Sequence, residues 1–234
     1  MTLADIQSRL AVLADDQRAG LQMRFFKTGP GEYGEGDRFI GVRVPELRRL
    51  SRRHRHLDMP TIETLLHSEI HEERHLALFI MVLQFQSGDT KQRRRIYDRY
   101  LDSLAYINNW DLVDCSAEHI VGGWLENRKK TRLYTLARSD NLWHRRVAML
   151  ATLHYIKKGQ FSEALRLAEQ LLADPHDLIH KAVGWMLREI GKRDPAVEEA
   201  FLQKHYQAMP RTMLRYAIEK FPPARRQAYL KGTI

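Results

Sequence analysis

The sequence predicts an all-α chain, a stack of two-helix units forming one domain over residues 1–234. Three observations lead there. Apolar residues recur with the helical period along nearly the whole chain, and strand-like alternation is almost absent. Gly and Pro punctuate the helical segments at Lys158-Gly159, Asp174-Pro175, Asp194-Pro195, Met209-Pro210 and Pro222-Pro223, as Gly past a helix end and Pro at a helix start should. One polar-then-small-apolar pattern also repeats. It reads Glu73-Arg74-His75-Leu76-Ala77-Leu78, then Val113-Asp114-Cys115-Ser116-Ala117, Arg145-Arg146-Val147-Ala148-Met149-Leu150, His180-Lys181-Ala182-Val183 and Leu214-Arg215-Tyr216-Ala217-Ile218. The copies lie roughly 32 to 40 residues apart, the spacing of helical repeat proteins.

In order, helices are expected at about 2–14, 16–27, 44–55, 60–68, 71–87, 90–106, 110–126, 129–138, 142–158, 161–173, 176–192, 195–208 and 211–221. Stacked as repeats, they would put the polar members of the pattern in a stripe along one concave side. One stretch breaks the helical rhythm, the Gly-rich acidic loop Lys27 to Arg38. Gly29, Gly31 and Gly34 formally match G-x-G-x-x-G, but a helix precedes them instead of a strand, and Glu32, Glu35 and Asp37 would repel a pyrophosphate. The loop is therefore read as a structural connection.

Charge narrows the partners. With 38 Lys+Arg against 29 Asp+Glu the net charge is +9 and the sequence pI about 9.7, which favours a polyanion such as nucleic acid. Basic residues gather at Arg48, Arg49, Arg52, Arg53 and Arg55, at Lys91, Arg93, Arg94, Arg95 and Arg99, and at Arg128, Lys129, Lys130 and Arg132. The lone cysteine, Cys115, excludes an internal disulfide and any Cys-rich zinc site, and it reads as a small buried residue. No secretory signal is evident at the N-terminus. The longest apolar run, Leu76 to Leu83, is far below the roughly 20 residues that span a bilayer. A cytoplasmic monomer with no membrane partner is expected.

His71-Glu72-Glu73-Arg74-His75 fits the H-E-x-x-H zinc-hydrolase pattern. Against it, the pattern falls at a helix start, Glu73 and Arg74 are charged, and no third ligand stands out downstream. No metal or other cofactor is expected. The more informative stretch is Asn108-Asn109-Trp110-Asp111-Leu112-Val113-Asp114, where an indole and a carboxylate four residues apart share one helical face. Asn141 to Arg146 and His180 to Arg188 echo it, so Trp110 with Asp114, Arg146 and Trp185 would face a common surface. Trp124, set among apolar residues, is assigned to the core.

At these residues the chain resembles the AlkD family of DNA alkylation repair proteins, along nearly its whole length. The resemblance rests on Phe39-Ile40-Gly41-Val42-Arg43-Val44-Pro45-Glu46-Leu47-Arg48, on Asn109-Trp110 through Asp114, on Leu142-Trp143 through Arg146, and on Ala182-Val183-Gly184-Trp185-Met186-Leu187-Arg188-Glu189. It implies a right-handed α-α superhelix of HEAT-like repeats. It also implies a monofunctional glycosylase that releases N3- and N7-alkylated purines from duplex DNA without flipping the lesion out of the helix. The family's catalytic Asp falls on Asp114, its site tryptophans on Trp110 and Trp185, and its site arginine on Arg146. Phe25 or Phe26 stands where the family has a Tyr. The DNA-contacting set expected with them is Phe25, Phe26, Arg43, Arg48, Arg145, Lys181, Arg188 and Arg215. The alternatives are a DNA-binding module without catalysis and a protein-binding scaffold.

Overall fold

The computed structural model of the chain describes residues 2–234, and these are all-α. The helices are α1 (Leu3–Leu13), α2 (Asp16–Phe25), α3 (Val44–Arg53), α4 (Met59–Leu66), α5 (His71–Ser87), α6 (Thr90–Asp102), α7 (Trp110–Asp114), α8 (Gly123–Leu125), α9 (Thr131–Ala137), α10 (Leu142–Ala151), α11 (Leu153–Ile156), α12 (Ser162–Gln170), α13 (Asp177–Gly191), α14 (Pro195–His205), α15 (Arg211–Ala217) and α16 (Pro223–Lys231). Among the described residues no strand forms, and the sole β feature is an isolated bridge between Arg38 and Ile70. No helix is long and apolar enough to cross a membrane.

The chain divides into two compact units, 1–120 and 121–234. In the first, α5 packs against α3, α4, α6 and α7. That central place explains its composition. From Leu76 to Val82 every residue is buried, so α5 is apolar around its circumference instead of along a stripe. In the second unit α13 is the hub, packed against α10, α12, α14 and α15. Gly184 permits the approach of α15, since a Cβ there would lie 2.4 Å from the Met213 carbonyl oxygen.

Several expectations change; the helix expected over 142–158, for one, is divided at Thr152 into α10 and α11. The segment read as one helix over 110–126 is broken: α7 ends at Asp114, and a π-helical turn covers Glu118–Gly122 before α8. At the break the Ser116 hydroxyl donates to the Leu112 carbonyl at 2.6 Å, competing with the backbone ladder. Pro222-Pro223, read as a stop, instead opens α16, because a proline in the first turn lacks only an N–H that has no intrahelical partner. Trp124 is only half-buried, with the Arg128 guanidinium 3.6 Å from its ring centroid.

Candidate active site

In the first unit the expected residues Trp110 and Asp114 lie on α7. With five residues, α7 is far too short to hold itself together. Its start is fixed by Asn109, fully buried, whose side-chain oxygen accepts from the Trp110 backbone N–H at 2.8 Å. Trp110 and Asp114, one turn apart, are both half-buried. The indole stacks on Phe26 with centroids 5.0 Å apart and planes 14° apart, and Phe25 meets it edge-on at 5.9 Å. Phe25 is 65% exposed beside it, whereas Phe26 is 8% exposed. Of the two expected DNA contacts, then, Phe26 is corrected to a supporting residue beneath the indole.

Behind α7 lies a buried polar cluster. His71 Nδ1 is 2.8 Å from Asp37 Oδ2, and His71 Nε2 is 2.8 Å from Asp111 Oδ2. Arg74 donates to Asp37 Oδ1 at 2.5 Å, Asn109 Nδ2 donates to Asp37 Oδ2 at 3.3 Å, and His75 Nδ1 is 3.4 Å from Asp111. Burial opposes charge on His71, but the carboxylates of Asp111 and Asp37 outweigh it and raise the imidazole to about 9. Burial likewise works against Asp37 and Asp111, yet His71 holds both below the usual carboxylate range. For His75 burial wins, pushing it down to about 4 and leaving it neutral.

Sequence reasoning missed this cluster. His71 and His75 lie inside the unit, not on a polar stripe, and the third candidate ligand absent from the sequence reading is Asp111. Among the described residues, these three are the group of side chains close enough to hold a metal ion. The surrounding chemistry argues against one. His71 Nε2 faces Asp111 at hydrogen-bond distance, and the cations of Arg74 and Arg48 lie close by. Glu72, the residue a zinc hydrolase of this pattern needs as its base, accepts instead from the backbone N–H groups of Ile40, Gly41 and Val42 at 2.8 to 3.2 Å. That cradle fixes the Phe39-to-Val42 segment, where Gly41 has φ +80° and a Cβ would lie 2.1 Å from the Asp15 carbonyl oxygen.

The second unit carries the other expected residues. Trp185 on α13 is half-buried, its indole N–H donating to Glu189 at 3.3 Å. Arg146 on α10 is only 5% exposed and donates to the Leu178 carbonyl at 2.6 Å. The guanidinium of this residue, the site arginine by resemblance, thereby fastens α10 to the first turn of α13. Arg145 is engaged by Asp174 at 2.6 Å and by the carbonyls of Ser139 and Asp140, and Arg188 pairs with Glu219. Lys181 pairs with Asp177 at 2.7 Å at the surface, and Arg215 is exposed. In the first unit Arg43 and Arg48 are exposed, the latter 4.6 Å from the Phe79 ring centroid. Cys115 donates to the Leu112 carbonyl at 3.3 Å, and burial pushes its thiol well up, away from nucleophilic chemistry.

A family model described as DNA alkylation repair enzyme matches residues 6–221. The chain belongs to this family. The resemblance read from the spaced motifs is thereby upheld. Among solved structures, the chain is similar to a predicted DNA alkylation repair enzyme from Enterococcus faecalis, at 18% identity and TM-score 0.69, covering 90% of this chain and 97% of that one. It is also similar to AlkD2 from Streptococcus mutans, at 18% identity and TM-score 0.55, covering 89% and 99%. At such identity these likenesses establish the shared helical-repeat fold. No curated protein matches the sequence.

Proposed function

We propose that the chain is a monofunctional DNA glycosylase, a hydrolase that releases N3- and N7-alkylated purines from duplex DNA, acting as a monomer in the bacterial cytosol. The observation that carries this reading is the pairing of a half-buried indole braced by Phe26 with a half-buried carboxylate one turn later, on a helix held from behind by a buried ionic cluster. An alkylated purine of this kind is cationic, so it departs as a neutral base and needs little acid assistance. Positive charge builds on the sugar. Asp114 stabilises that oxocarbenium-like charge and orients the water that attacks C1′. The indole of Trp110 attracts the cationic nucleotide, worth ~0.5–2 kcal/mol by cation–π estimates. Trp185 is assigned the same kind of contact.

Arg43, Arg48, Lys181 and Arg215, all at least partly exposed, are assigned to backbone phosphates, and Phe25 to the sugar-phosphate edge beside Trp110. The lesion is taken to stay in the helix, so that the enzyme works from the backbone side and tolerates bulky adducts. No cofactor is required. The test is base release. Purified protein incubated with duplex DNA carrying 7-methylguanine should liberate the free base and leave an abasic site. DNA binding with no release would favour a non-catalytic DNA-binding module, and neither binding nor release a protein scaffold.

A further inference from the structure

The hydrogen bonds behind α7 close into a ring. His71 bridges Asp37 and Asp111, Asp37 accepts from Asn109, Asn109 caps the Trp110 amide, and Asp111 follows Trp110 in the chain. A second path joins the same two ends by stacking. The His71 imidazole lies on Phe39 at 4.2 Å and 21°, Phe39 on Phe26 at 4.9 Å and 22°, and Phe26 on Trp110 at 5.0 Å and 14°. Both paths start at one imidazole and end at the residue that opens α7. We propose that His71, bridging Asp37 and Asp111, is a positioning residue that sets the place of Trp110 and Asp114 for base excision. This rests on the glycosylase reading of those two residues.

Charge explains why a histidine is needed. Facing His71 are Asp37 from the loop, Asp111 from α7, and Glu72, Arg74 and His75 from α5, with Arg48 of α3 and Cys115 acting on His75 and Asp111 from farther out. Glu72 is occupied by three backbone amides. With His71 protonated and His75 neutral, two carboxylates meet two cations, His71 and Arg74. Without the His71 charge, Asp111, its side chain only 12% exposed, is a carboxylate largely removed from water with no cation in contact, and such a group relaxes by moving or taking up a proton. Movement displaces α7, because Asp111 lies in its first turn and α7 has no length of its own to resist, and protonation loosens the bridge that holds that turn. A displacement of about 1 Å far from the reacting bond can lower a rate by about a hundredfold.

The experiment compares wild type, His71→Gln, Asp111→Asn and the double variant in three measurements: single-turnover release of 7-methylguanine, affinity for undamaged duplex, and the indole N–H resonances. The four tryptophans give four such resonances, and Trp110→Phe identifies the one that belongs to Trp110. His71→Gln is expected to slow excision by about tenfold to a hundredfold while duplex affinity stays within a few-fold, and to shift or broaden the Trp110 resonance alone. In the double variant, where the lone carboxylate is gone, part of the rate should return. Wild-type excision should also fall as pH rises through about 9, a limb absent from His71→Gln. If His71→Gln does not fold, Asp37→Asn, which loosens the other side of the bridge, should reproduce the Trp110 shift and a smaller slowing. Near wild-type excision with an unmoved Trp110 resonance overturns the proposal, as does a rate that falls only in proportion to the folded fraction. A stoichiometric metal required for activity also overturns it. Should wild-type protein release no base, the glycosylase reading fails, and the Trp110 resonance still decides whether His71 positions α7.

Discussion

Helices α5 and α13 begin with the same kind of pattern, a polar turn followed by small and apolar residues, and the two units use it in opposite ways. In α5 the polar turn is inside: His71, Glu72, Glu73, Arg74 and His75 are all buried. In α13 Asp177 is exposed and His180 and Lys181 are half-buried. The difference follows from what each helix start meets. The first turn of α5 meets the Asp37 carboxylate of the Gly-rich loop, the Asp111 carboxylate of α7 and the backbone amides of Ile40, Gly41 and Val42. The first turn of α13 buries Leu178 and Ile179, meets the Arg146 guanidinium at the Leu178 carbonyl, and leaves its charged residues Asp177 and Lys181 paired with each other at the surface. A repeated pattern in a helical array therefore does not assign a repeated role.

The largest effect expected lies outside both helix starts, at Asp114. Asp114→Asn should nearly abolish single-turnover release of 7-methylguanine and leave duplex affinity within a few-fold, because the charge it answers exists only during bond cleavage. A near wild-type rate would remove Asp114 from the chemistry and empty the comparison of its function.

Next comes stability at the α5 start. Glu72→Ala strips three amides of their acceptor in a site closed to water, so unfolding by denaturant should show a loss of about 3 kcal/mol or more, with m unchanged. The matching change in α13, Lys181→Ala, should stay within about 0.5 kcal/mol, since its ion pair with Asp177 is at the surface. Equal losses would show that the two polar turns are not used differently.

The pH dependence of stability sharpens the same point. His71 is raised to about 9 in the folded chain, so its contribution is complete below the ordinary imidazole value near 6.5 and disappears as pH rises through about 9. His75 is depressed to about 4, so the neutral form it needs costs stability as pH falls below about 6.5. Asp37 and Asp111, held low, add a further loss in acid. Thermal unfolding of wild type should thus weaken on both sides of neutrality, and the alkaline weakening should vanish in His71→Gln.

The smallest effect concerns the surface cations Lys181 and Arg215. Lys181→Ala and Arg215→Ala should each weaken binding of damaged and undamaged duplex alike and reduce the slope of log affinity against log salt by about one. Arg146→Ala should behave differently, lowering stability by about 1–3 kcal/mol through the unsatisfied Leu178 carbonyl and loosened α13. A slope change for Arg146 without that destabilisation would instead give it the role of a phosphate clamp.

By itself the sequence determined the helical class, nearly every helix from α1 to α15, the family, and the candidate pair Trp110 and Asp114. These depend on local quantities: apolar period, Gly and Pro stops, and i, i+4 spacing. Only the tertiary structure decided the rest. Phe25 and Phe26 are adjacent and chemically identical, yet Phe25 stays exposed while Phe26 carries the indole. Asp111 reads in sequence like any acid favoured in a first helical turn, and Asp37 like one more charge of an acidic loop. Their shared partner, His71, is 34 residues from one and 40 from the other. Whether a charged side chain is solvated or buried in a network depends on which distant groups converge on it, and burial raises the energy of a missing partner so steeply that the fold must supply all of them together.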